Sequence, residues 1–249
     1  MTTIRYDFIP DLKRPILIEG LPGVGNVGKI VADHLCSQLN AVRFAKVYSE
    51  SFPPQIVLDG DCVIHVACNE LYCAKDVSGH DIIFLLGDYQ GSTPEGQYII
   101  CDDLMRDVFL RMDVSYIYTL GGYGTGHMSE TPRVLGAVSD ISLKMELEEH
   151  GVVFSPGEPA GGIVGASALF VAFGQMYGIP AACLMGETSG YFVDHKSGAA
   201  VLSVLESILG ITVDKTELEQ RSQQIDELTA KVKEIESAPQ DRQDLGYIG

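Results

Sequence analysis

Pro15-Ile16-Leu17-Ile18-Glu19, followed by Gly20-Leu21-Pro22-Gly23-Val24-Gly25-Asn26-Val27-Gly28, is the stretch that decides the fold. The first five residues are a short apolar run and read as a buried strand. Gly20 to Gly28 reads as a glycine loop, and Asn26 to Leu39 as a helix. The same alternation continues along the chain. Val42 to Tyr48, Asp81 to Gly87, Val114 to Leu120, Val152 to Phe154 and Pro180 to Leu184 read as strands. Glu95 to Met112, Ser139 to Glu149, Ile163 to Tyr177 and Ser197 to Leu209 read as helices. Gln55 to Leu58 and Cys62 to Ala67 flank Asp59-Gly60-Asp61, the pattern of a hairpin. Continuous apolar strands alternating with helices predict an α/β fold, with a mostly parallel sheet flanked by helices on both faces.

Three parts are expected: an α/β domain over 1–213, an amphipathic helix over 214–237 and a tail over 238–249. Asp214 to Ser237 holds neither Gly nor Pro, and Asp214 or Thr216 can cap it. Its apolar residues, Leu218, Ile225, Leu228, Val232 and Ile235, form a narrow stripe with Arg221 at one seam position. Such a stripe serves packing on its own domain or on a sister subunit, and a homo-oligomer is expected. The tail ends Leu245-Gly246-Tyr247-Ile248-Gly249. Apolar side chains in a polar tail either tuck back onto the domain or serve another protein's pocket, where the carboxylate of Gly249 meets a Lys or Arg.

The chain of 249 residues carries 34 acidic and 17 basic side chains, a formal charge of -17. That balance argues against nucleic acid and against an anionic membrane surface, and suits a basic partner surface. The 46% hydrophobic content supports a sizeable core. The six cysteines form no C-x-x-C pair, and neither they nor the six histidines have metal-site spacing. Free thiols in a reducing cytoplasm are expected. Met1 to Asp11 is polar and charged, which predicts no signal peptide. Pro159 to Gly186 lacks charge, but Gln175, Gly178 and Pro180 interrupt it too early for a membrane span.

Gly23, Gly25 and Gly28 make a G-x-G-x-x-G after a strand and before a helix, the context of a phosphate-binding turn, with Glu50 where a ribose-binding acid would stand. The segment also half-matches a P-loop through Gly28 and Lys29, then departs at Ile30, where Ser or Thr would hold magnesium. Asp88 ends a buried strand, as a magnesium-binding acid might be placed. The alternative is tight helix–strand packing through glycine, with Lys29 facing solvent and doing no chemistry. Further glycine clusters at 121–126, 157–162 and 186–190 follow strands. In an open α/β sheet such loops gather at the carboxyl edge of the strands, where Glu19, Asp88 and Glu187 would face a crevice, near His127 and His195. They read either as acid–base carboxylates or as capping acids in turn-forming loops. No G-x-S-x-G elbow is present.

Ile18 to Gly28, Gly162-Ile163-Val164-Gly165-Ala166-Ser167 and Leu184-Met185-Gly186-Glu187-Thr188-Ser189-Gly190-Tyr191 together resemble the archaeal proteasome assembly chaperone family. The similarity runs from about Ile16 to the C-terminus. It implies a purine nucleoside phosphorylase-like fold, no cofactor or metal, no catalytic residue, and binding to the α-ring of the proteasome core particle. In that family the tail inserts a hydrophobic–tyrosine–any ending into pockets between α subunits, where its carboxylate meets a lysine. By that resemblance the partner-binding residues are Leu245, Tyr247, Ile248 and Gly249. Tyr247 is third from the end rather than second, and Gly246 precedes it, so the hydrophobic place falls to Leu245 or Ile248. The competing function is an enzyme that binds a nucleotide or phosphorylated metabolite, similar to an ATP-dependent carboxylate–amine ligase, at Gly23, Gly25, Gly28 and Lys29.

Overall fold

The computed structural model describes residues 1–58 and 60–225. Among them, nine strands build one sheet in the order β1 (Thr2–Tyr6), β3 (Val42–Ser49), β6 (Asn69–Val77), β7 (His80–Gly87), β2 (Ile16–Glu19), β8 (Tyr116–Gly124), β11 (Ala181–Thr188), β9 (Val134–Val138) and β10 (Val152–Val153). β4 (Ile56–Leu58) and β5 (Ile64–Val66) pair with each other as the expected hairpin, outside that sheet.

Side chains alternate across the central strands and make two cores. Ile16, Ile18, Ile82, Phe84, Leu120 and Leu184 face one way, under α1 (Val27–Gln38) and α5 (His195–Leu209). Leu17, Ile83, Leu85 and Ile117 face the other way, under α2 (Pro94–Leu104) and α4 (Ala166–Tyr177). A strand buried on both faces must be apolar at every position, which is why these runs were legible. α3 (Leu143–Glu149) lies beside β10, with Leu147 buried in the first core. α2 starts where Thr93 Oγ1 accepts from the Gly96 N–H at 3.0 Å, with Pro94 in its first turn, and continues as a π-helical turn over Met105–Phe109. α5 starts where Asp194 Oδ1 accepts from the Ser197 N–H at 2.9 Å.

The sheet is mixed rather than mostly parallel. β7–β2, β2–β8, β8–β11 and β9–β10 are parallel. β1–β3, β3–β6, β6–β7 and β9–β11 are antiparallel. Every antiparallel pair contains β1, β6 or β9, three strands that the apolar-run pattern did not reveal. β8 and β11 also run farther than expected, through Gly121, Gly122 and Gly124 and through Gly186 and Glu187, so these residues extend the ladder instead of forming loops.

Residues 216–225 are helical. Asp214 Oδ1 accepts from the Thr216 N–H at 2.9 Å, and Leu218 is buried in the first core of its own chain. His34 Nε2 lies 2.7 Å from the Asp214 carbonyl, and Lys215 pairs with Glu206, so the start of this helix is tied to α1 and α5. Leu228, Val232, Ile235 and the whole tail lie outside the described residues.

Candidate functional site

The carboxyl ends of β2, β7, β8 and β11 point the same way and bring together Glu19, Gly87, Gly124 and Thr188, with the loops that follow. These loops are bound to one another. Gln90 Nε2 donates to the Pro22 carbonyl at 2.8 Å, and its Oε1 accepts from the Ala166 N–H at 2.9 Å. The Asp194 N–H donates to the Gly25 carbonyl at 2.9 Å, and the Thr125 N–H to the Thr188 carbonyl at 2.8 Å.

In the glycine loop, a Cβ on Gly28 would stand 2.1 Å from the backbone oxygen of Leu120, so only glycine lets α1 approach β8 this closely. A Cβ on Gly122 would meet the Val24 carbonyl oxygen at 2.2 Å. Gly23 has open space around it. Lys29 does not face solvent as expected. It is half-buried, donates to the Gly87 carbonyl at 3.2 Å and pairs with Asp33 at 3.0 Å.

The three acids expected at a crevice sit in three different environments. Glu19 is fully buried. Its Oε1 accepts from the Leu21 N–H at 3.1 Å and its Oε2 from the Ser167 hydroxyl at 2.8 Å. Burial pushes its pKa up to about 7, against the pull of those two donors. Glu187 is clamped by Arg133, whose backbone N–H and Nε donate at 3.0 and 2.9 Å, while Arg133 also reaches Glu158 at 3.4 Å. The hydrogen bonds from Arg133 hold the Glu187 carboxyl below its ordinary range. Asp88 pairs with His65 at 3.5 Å, on the inner side of the β4–β5 hairpin. His127 lies in an exposed loop and His195 is buried at the start of α5, and neither side chain is hydrogen-bonded or ion-paired to these three acids.

Beneath the hairpin is a cavity of about 410 Å³ lined by Lys29, Asp33, Lys46, His65, Glu70 and Asp88 among others. Both of its lysines already have a carboxylate, Lys29 with Asp33 and Lys46 with Glu70 at 3.3 Å, and His65 faces Asp88. An anionic ligand would have to displace one of these pairs. All six cysteines are free, and burial pushes the thiols of Cys36, Cys101 and Cys183 up to about 12, far from the thiolate that nucleophilic chemistry needs. Among the described residues no cluster of His, Cys, Asp and Glu could hold a metal ion, and no helix is long and apolar enough to cross a membrane.

Comparison with known proteins places this geometry in a family. The sequence profile of the PAC2 family matches residues 17–233. An uncharacterized protein of Methanocaldococcus jannaschii is 34% identical over 255 residues, covering 99% of this chain and 97% of that protein. The crystal structure of Pyrococcus furiosus PbaB, an archaeal proteasome activator, superposes with a TM-score of 0.87 at 35% identity, over 93% of this chain and 98% of that one. Pyrococcus furiosus PbaA, an archaeal homolog of proteasome-assembly chaperone, gives 0.78 at 26% identity, over 93% and 92%.

Proposed function

The chain belongs to the PAC2 family, and from that premise we propose that it is a non-enzymatic proteasome assembly chaperone or adaptor. On this reading it is a homo-oligomer that binds the α-ring of the proteasome core particle through its C-terminal tail. The observation that carries the proposal is the 35% identity over 93% of the chain to a protein described as an archaeal proteasome activator. The loop edge supports it from the other side. The Gly28 contact, the tethered Lys29 and the pairing of Lys46 with Glu70 are features of packing, and they leave little for a nucleotide to use.

Leu245, Tyr247, Ile248 and the carboxylate of Gly249 are the proposed contacts, and they lie outside the described residues. Burying one apolar side chain is worth about 1.5–3 kcal/mol, and one charge-assisted hydrogen bond adds to it. After ordering costs, a single tail of this kind supports binding on the micromolar scale, and several tails on one oligomer gain by avidity when their spacing fits the ring.

Pull-down of core particle by the full chain, by a chain lacking Tyr247 to Gly249 and by Tyr247→Ala tests the proposal. Truncation is expected to abolish capture, and Tyr247→Ala to remove most of it, with melting temperatures unchanged. Equal capture by the truncated chain would place the contact on the body instead.

A further inference from the structure

β2 and β7 are parallel neighbours, yet the chain leaves them toward opposite faces of the sheet: β2 leads into α1 over the first core, and β7 into α2 over the second. In an open α/β sheet the crevice at such a reversal, outside the carboxyl ends of the strands, is where ligands bind. Gln90 bridges the two loops toward α4, and the cavity of about 410 Å³ opens on the α1 side, between Lys29, Gly87 and Asp88 and the hairpin. Its lining carries both signs of charge, Lys29 and Lys46 against Asp33, Glu70 and Asp88. Burial raises the pKa of Asp33, Lys29 draws it down, and Asp88 and Glu70 push it up, so the three carboxylates share one field. At the same strand end a Cβ on Gly87 would stand 2.0 Å from Asn69 Oδ1, and buried Asn69 has no partner for its side-chain oxygen or nitrogen among the described residues. Not every polar group here is satisfied by the chain itself.

We propose that this cavity is a binding site for a free α-amino acid, with the ligand's ammonium at Asp88 and its carboxylate at Lys46. Asp88 is the carboxylate with room for a cation. Among the described residues it has no lysine or arginine, and His65 stands 3.5 Å away. Lys46 is the lysine that can turn to a ligand at least cost. Its partner Glu70 is also held by Arg43 at 2.9 Å and by the Tyr72 hydroxyl at 2.8 Å, so Glu70 stays paired when Lys46 moves. Lys29 is less free, being tied to both Asp33 and the Gly87 carbonyl. A lone anion would break the Lys46–Glu70 pair in a cavity where three carboxylates already outnumber two lysines. A zwitterion brings a positive charge of its own and matches both signs of the lining. Size agrees, because the volume falls at the lower end of the roughly 300–1,000 Å³ of small-molecule sites, enough for an amino acid and small for a dinucleotide. The site is read from the body of the chain and does not rest on the proteasome reading.

Thermal shift of the full chain is measured with each of the standard L-α-amino acids at millimolar concentration. The one that shifts it most is carried into titration calorimetry, beside the amine that lacks its carboxylate and the acid that lacks its ammonium. At least one amino acid is expected to raise the melting temperature, because it binds the folded state alone. The amine and the acid are each expected to bind about 10-fold or more weakly, and Asp88→Asn and Lys46→Gln to weaken the amino acid by about the same factor. Ligand-free melting temperatures of both variants should match the native value, since Asp88 is half-buried and Glu70 keeps Arg43 and Tyr72. The amine and the acid are compared on the native chain, so that arm needs no variant to fold. No shift with any amino acid overturns the proposal. So does undiminished binding of the amino acid by either variant, or of the amine or the acid by the native chain. A chain lacking Tyr247 to Gly249 should bind the amino acid as the full chain does, so this site and the tail contact fail separately.

Discussion

The loop edge and the hairpin use the same chemistry in opposite ways. At the loop edge several polar groups are turned inward and satisfied, Glu19 by Leu21 and Ser167, Gln90 by Pro22 and Ala166, Glu187 by Arg133, while buried Asn69 has no side-chain partner. Glycines there bring backbones into direct contact. On the hairpin, apolar groups are turned outward and are mostly exposed among the described residues. Gly28 of the G-x-G-x-x-G, the motif that most suggests catalysis in the sequence, packs α1 against β8, while a plain run of Ile, Leu and Val on the hairpin is exposed. A polar cluster at a strand edge is thus no sign of chemistry until its partners are counted.

Substitution at the loop edge should cost the fold, and the largest cost is expected at Gly28. Gly28→Ala in a helix ordinarily gains up to about 1 kcal/mol from propensity. Here the new Cβ would meet a backbone oxygen at 2.1 Å, so the variant should lose stability at or above the top of the about 1–3 kcal/mol range of overpacking. Urea denaturation measures it, and an unchanged or raised midpoint would mean that the edge is roomier than it looks.

Glu19 sharpens the comparison through pH. Its pKa rises from 4.5 to about 7 on folding, so the folded state holds the proton more tightly than the unfolded chain. The stabilisation is complete below pH 4.5 and is lost as pH rises through about 7, a difference of about 3 kcal/mol. Glu19→Gln should flatten that part of the stability–pH curve. Parallel curves for the native chain and the variant would show that the carboxyl is better solvated than its burial implies.

The smallest effect is expected on the hairpin. Leu58→Ser should change the unfolding free energy of the dilute chain by no more than about 0.5 kcal/mol, because the side chain is mostly exposed there. A calorimetric loss of several kcal/mol at low concentration would mean that the body already covers this face.

Much of the loop edge could be placed from the sequence. Glu19 ends β2 and Asp88 lies just past β7, while Glu187 stands inside β11, one residue before its end. The P-loop mismatch at Ile30 and the absence of a nucleophile signature were also legible. The burial of Glu19, the pairing of Lys29 with Asp33 and the clamp of Arg133 on Glu187 were not, because each depends on how close two backbones approach. Arg133 and Gln90 were missed altogether. Neither belongs to a motif, and their partners stand 54 and 76 or 68 positions away.

Sequence alone determined the central strands and the helices that cover them. A strand enclosed on both faces admits only apolar side chains, and that constraint is written locally. It also determined the hairpin, through a local turn between two apolar runs, and the family, through three motifs read together. Tertiary structure alone decided the direction of half the strand pairs. β6 carries Asn69, Glu70, Lys75 and Asp76, and reads as no strand at all. Glu70 is tolerated there because Arg43 and Lys46 of the neighbouring β3 meet it at 2.9 and 3.3 Å. β1 and β9 likewise exist through pairing with β3 and β11. Backbone pairing across many residues leaves no local periodicity to read, and it is this pairing that makes the sheet mixed.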